Sequence, residues 1–140
     1  MKQSNFQEAV DDMRRANPQF EEQAYYFIRE ALDFTIRLLN KPTSGKARHV
    51  SGAELLEGIR KFAIQEFGPI TKTVLNHWGI HECEDFGRIV FIMVEHNVLG
   101  KTDYDSIEDF AGGYDFVDAF RKPFLPSGTR KRKIPSGTPE

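Results

Sequence analysis

The chain has a single cysteine, Cys83, so no disulfide can close within its 140 residues. That excludes a disulfide-stapled framework and suits a reducing compartment. Long apolar runs are also missing. The longest is Ile89-Val90-Phe91-Ile92-Met93-Val94, far short of the roughly 20 residues that a bilayer crossing needs. The opening residues, MKQSNFQEAV, lack the apolar stretch of a secretory signal. No internal repeat is present. These absences predict a cytoplasmic protein with no membrane contact.

A strong excess of one charge is lacking as well, and the net of −2 hides an asymmetry. The last 14 residues set Arg130, Lys131, Arg132 and Lys133 against Glu140, a net of +3, which leaves −5 on the other 126. A mildly acidic body does not favour binding nucleic acid through its surface. The apolar fraction of 39% is that of a globular chain. Twelve Phe, four Tyr and one Trp predict an aromatic-rich core.

The periodicity is helical throughout. Phe6, Ala9, Val10 and Met13 mark one face of a helix over about 4–16. Asn17-Pro18 reads as the start of a second, long helix to about 39, with a stripe through Phe20, Ala24, Phe27, Ile28, Ala31 and Leu38. Residues 40–50 form a locally basic loop. Ser51-Gly-Ala-Glu54 is a capping box opening a helix that Gly68-Pro69 ends. A short helix follows over about 70–78, then one from Glu84-Asp85 to about Asn97. Its apolar run could be a strand, but the flanks continue the helical period. Residues 98–105 read as a turn or short extended segment, 107–110 as a helical turn and 114–121 as a last short helix. From Pro126 the composition turns to Pro, Ser, Gly, Thr and cations. The expectation is one mostly α domain over 1–125, of five to seven helices, and a disordered basic tail over 126–140.

Five strings occur together: Arg48-His49-Val50-Ser51-Gly52-x-Glu54-Leu55-Leu56, Phe67-Gly68-Pro69, Trp78-Gly79-Ile80, Asp85-Phe86-Gly87-x-Ile89-Val90-Phe91 and Asp105-Ser106-x-x-Asp109-Phe110. In combination, over about residues 6–121, they resemble a family of small uncharacterised bacterial proteins largely restricted to Planctomycetes and Verrucomicrobia. The resemblance implies a bacterial cytoplasmic protein and carries no activity or catalytic residues to transfer.

Familiar chemical motifs are incomplete. Gly100-Lys101-Thr102 resembles the end of a phosphate-binding loop, but Glu95 stands where that loop needs its first Gly. Asp85-Phe86-Gly87 has none of the kinase signatures around it. A calcium loop from Asp103 would put Glu108 at its Gly position and Tyr114 at its bidentate Glu. His77, His81 and Cys83, with His96 as a fourth, have zinc-ligand side chains, but their spacing crosses a helix end. They are candidates for a metal site, and no metal or cofactor is predicted. An enzyme would need His49, Glu54, His77 and Asp85 to converge.

Residues 70–102 have the helix, turn, helix and extension of a winged helix, yet Glu82, Glu84 and Asp85 stand where DNA phosphates would lie. The expected function is a non-catalytic interaction module, binding a protein partner or its own copy. Its contact residues are predicted as Arg48, His49, Tyr114, Phe116, Phe120 and Phe124. The alternative is a winged-helix-like protein held to nucleic acid by Arg130, Lys131, Arg132 and Lys133.

Overall fold

Helix α1 spans Lys2–Ala16, α2 Glu22–Leu38 and α3 Gly52–Phe67. A 3-10 turn over Gly68–Ile70 leads into α4 (Thr71–His77), and α5 runs Cys83–Glu95. A 3-10 turn over Ile107–Phe110, α6 (Phe116–Phe120) and a final 3-10 turn over Lys122–Phe124 complete the order. This computed structural model describes residues 2–42, 49–100 and 107–126, and no strand occurs among them. The protein is thus a mostly helical single domain. Arg48, the 101–105 part of the expected turn and residues 127–140 of the expected tail lie outside the described residues.

Helix α2 is the centre of the core. Ala24, Tyr25, Phe27, Ile28, Ala31 and Leu32 on it are buried, and it packs on α1, α3 and α5. Its closest neighbour is α3. A Cβ on Gly58 would stand 1.8 Å from Thr35 Oγ1, so only glycine lets the two backbones meet there. The Thr35 hydroxyl turns back into its own helix and donates to the Ala31 carbonyl at 2.7 Å. Neither group is left without a partner in a dry contact.

The predicted start of α2 is corrected. Asn17 does not open it. Its backbone N–H and its side-chain amide both donate to the Met13 carbonyl, at 2.8 and 3.1 Å, and close α1 instead. Residues 18–20 then form a turn that drops Phe20 into the core, where it is 1% exposed. The Glu21 N–H donates to the Trp78 carbonyl at 3.1 Å. A contact from a distant helix end therefore decides where α2 begins.

Two other expected signals act as read. The Ser51 hydroxyl accepts from the Glu54 N–H and the Glu54 carboxylate from the Ser51 N–H, each at 3.0 Å. The 89–94 run is helical, within α5. Three helices end on the same left-handed cap. Residues Asn40, Gly79 and Asn97 have φ of 56°, 92° and 63°. The next N–H in each case returns to a carbonyl five residues back, Lys41 to Ile36, Ile80 to Leu75 and Val98 to Met93.

The 107–110 turn pins α3 to α5. Phe110 is fully buried, with ring atoms 3.0 Å from where a Cβ of Gly87 would lie, and Asp109 sits equally tightly on Gly52.

Candidate functional site

On α2, Gln23, the adjacent pair Tyr26 and Phe27, Glu30, Asp33 and Arg37 recur about once per helical turn, so they line one edge of the helix. Phe62, Glu66 and Phe67 come from α3 and Trp78 from the end of α4. Together they form a groove. Its first part, about 230 Å³, is floored by Tyr26, Phe27, Phe62, Phe67 and Trp78 and rimmed by Gln23, Glu30 and Glu66. A second part of about 300 Å³ shares Glu30, Phe62 and Glu66 and extends to Asp33 and Arg37.

The floor is built by ring packing. Phe27 lies 5.5 Å from Phe62 and 5.6 Å from Trp78 between centroids, and Phe67 meets Trp78 edge-on at 5.6 Å. Phe27 and Phe62 are buried, while Tyr26, Phe67 and Trp78 are only partly covered. Ring faces carry partial negative charge. The exposed rim carboxylates of Glu30 and Glu66 make no ion pair among the described residues. Apolar faces edged by unpaired carboxylates suit a cation on an apolar stem, a lysine or arginine side chain. The protein uses this chemistry beside the groove: the Arg29 guanidinium lies 3.9 Å from the Phe6 centroid and 5.6 Å from that of Tyr26.

A second cleft, about 270 Å³, opens over the start of α5 and is lined by Cys83, Glu84, Gly113, Tyr114 and their neighbours. Its one thiol is held inside the fold. The Cys83 thiol is 2% exposed and lies between the N–H and the carbonyl of Tyr114, each 3.3 Å away. Burial, opposed by the Tyr114 hydrogen bond and helped by Glu84 and Glu82, pushes its pKa up to about 11. A thiol held neutral is a weak nucleophile at neutral pH. The Tyr114 hydroxyl donates to the Leu56 carbonyl at 2.8 Å, and burial raises its pKa well above the usual value.

The predicted metal candidates do not come together. His77 and His81 are exposed, Cys83 is buried, and the His96 ring lies 3.0 Å from the Ile92 carbonyl. No three His, Cys, Asp or Glu among the described residues are placed to hold a metal ion. The acid–base candidates have structural partners. Glu54 closes the capping box and pairs with Lys41 at 3.5 Å. Asp85 accepts from the His81 N–H at 2.9 Å and from Arg88 at 2.6 Å. His49 is partly buried beside the α3 cap. None of His49, Glu54, His77 or Asp85 lines either cleft.

The predicted aromatic contact surface is corrected. Phe116 and Phe120 are 4% and 0% exposed, and they pack with Tyr114 and Phe86 into a second aromatic cluster. The helical period that groups these rings puts them on the inner face of α6. Of the predicted rings only Phe124, 39% exposed, is open. Arg48 and the cations Arg130, Lys131, Arg132 and Lys133 lie outside the described residues.

The groove itself was not foreseen. Its floor residues read as ordinary core positions, because the groove forms only where three helices converge. The local signal was Glu30, placed one helical turn from both Tyr26 and Phe27. No helix among the described residues is long and apolar enough to cross a membrane. Comparison with protein-family models, with curated proteins and with solved structures finds no match to this chain.

Proposed function

We propose that this protein is a non-catalytic interaction module that binds a basic peptide segment in the groove between α2 and α3. The carrying observation is the pairing of an aromatic floor with two rim carboxylates that have no cation of their own among the described residues. Aromatic rings supply contact area at low conformational cost, and the carboxylates select for positive charge. The groove replaces Phe116 and Phe120 as the contact surface. The buried state of the thiol and the structural duties of Glu54 and Asp85 support a non-catalytic reading.

Trp78 is the only tryptophan and lies in the groove floor, so its fluorescence reports on occupancy. Titrating a short arginine-rich peptide into the protein should change Trp78 emission saturably. Replacing Glu30→Gln and Glu66→Gln together should weaken binding about tenfold, as two partly solvated ion contacts contribute roughly 1.4 kcal/mol together. Unchanged affinity in that variant would overturn the assignment.

A nucleic-acid reading has less support. Helix α5, which would be the recognition helix, buries Phe86, Ile89, Val90, Ile92 and Met93 and starts with Glu84 and Asp85. That reading depends on the cations at 130–133 alone.

A further inference from the structure

We propose that the basic segment occupying this groove in the isolated protein is the chain's own Arg130-Lys131-Arg132-Lys133, folded back in cis as an autoinhibitory contact. This rests on the groove reading above and names its resident ligand.

Two observations carry it. The first is charge. The four consecutive cations belong to a segment of net +3 attached to a body of net −5. The groove offers Glu30 and Glu66 without ion-pair partners among the described residues, on a floor suited to alkyl stems and guanidinium planes.

The second is reach. Helix α6 packs on α4 and on the 68–70 turn, and that turn follows Phe67, a floor residue. Along α3, Phe62 and Phe67 are about 8 Å apart. The described chain ends at Pro126. Arg130 to Lys133 are four to seven residues further on and so reach up to about 13–25 Å from it. The last described segment is thus joined through α6 to the elements that carry Phe67 and Trp78, and the tail beyond Pro126 is long enough to span the groove's own dimensions.

A cis contact needs little intrinsic affinity. A short flexible tether gives an effective concentration in the millimolar range, so even a millimolar site is substantially occupied. Solvent-exposed charge pairs weaken as salt shortens the Debye length, so the tail should leave at high ionic strength.

The experiment uses the full chain and its variant carrying Arg130→Gln, Lys131→Gln, Arg132→Gln and Lys133→Gln together. At about 20 mM NaCl the two should differ in Trp78 emission, and at about 500 mM they should converge. The low-salt difference should be independent of protein concentration. Identical emission at low salt, or a difference that grows with concentration, overturns docking in cis.

A tetra-arginine peptide then separates this inference from the reading beneath it. It should bind the variant about three- to tenfold more tightly than the parent, because the parent's groove is partly occupied. Equal binding overturns the inference and leaves the groove reading standing. No binding to either chain overturns both. Adding Glu30→Gln and Glu66→Gln to the parent should abolish the low-salt emission difference, and its persistence would place the tail elsewhere.

Discussion

Two tyrosines packed on the core show how one hydroxyl can act in opposite directions. Tyr114 donates to the Leu56 carbonyl at 2.8 Å, while the Tyr25 hydroxyl, on a residue of 0% exposure, has no hydrogen-bond partner among the described residues. A buried donor without a partner loses its hydration and gains nothing, at about 1–3 kcal/mol. Tyr25→Phe keeps the ring and removes that cost, so stability should stay level or rise by up to about 2 kcal/mol. Tyr114→Phe removes a made bond and should cost about 1 kcal/mol. Urea unfolding of the two variants checks the contrast. A clear loss in Tyr25→Phe would mean that its hydroxyl has a partner outside the described residues.

At the scale of elements, the three left-handed helix ends are alike in backbone and different in surroundings. Asn97 and Asn40 adopt positive φ at a cost that Asn bears better than other side-chain-bearing residues and glycine does not bear at all. Asn97→Gly should therefore leave stability within about 1 kcal/mol of the parent. Gly79 cannot be exchanged in the other direction. A Cβ there would lie 2.1 Å from the Gln19 carbonyl oxygen, in the same place where Glu21 bonds Trp78. Gly79→Ala should lower thermal stability by several kcal/mol, through positive φ and a backbone clash together. An unfolding midpoint for Gly79→Ala equal to that of Asn97→Gly would show that the two ends are not differently constrained.

The same contrast explains what the sequence could disclose. The capping box at Ser51 and Glu54 is legible because every atom in it lies within four residues. The helical nature of 89–94 is legible because its period continues on both sides. The start of α2 is not legible, since it depends on a hydrogen bond between Glu21 and Trp78, far apart in the chain. The roles of Phe116 and Phe120 are hidden for a related reason: periodicity groups side chains on a face and does not say whether another helix covers it. The groove is the extreme case. Tyr26, Phe67 and Trp78 each look like core residues, and only the way α2, α3 and α4 converge leaves them partly open.

On the scale of the whole molecule, the buried acids set a limit on stability at high pH. Burial pushes the Cys83 thiol from 9.0 to about 11, opposed by its Tyr114 hydrogen bond and helped by Glu84 and Glu82. Burial raises the Tyr25 phenol from 10.0 to about 12 against the pull of Arg14, and burial also raises Tyr114 well above its ordinary value. All three are neutral in the fold at neutral pH. A raised pKa means that the folded chain keeps a proton the unfolded chain has already released, so stability declines as pH rises. The decline begins near the unfolded value of Cys83, about 9, and that contribution is complete near 11. Tyr25 adds its loss between 10 and about 12. Urea midpoints measured between about pH 7 and pH 11 should hold level and then drop from about pH 9. In Cys83→Ala the drop should begin about one unit later, where the tyrosines take over, because the earliest proton difference has gone. An onset at the same pH in parent and Cys83→Ala would mean that the thiol ionises alike in the folded and unfolded chain, contrary to its burial against Tyr114.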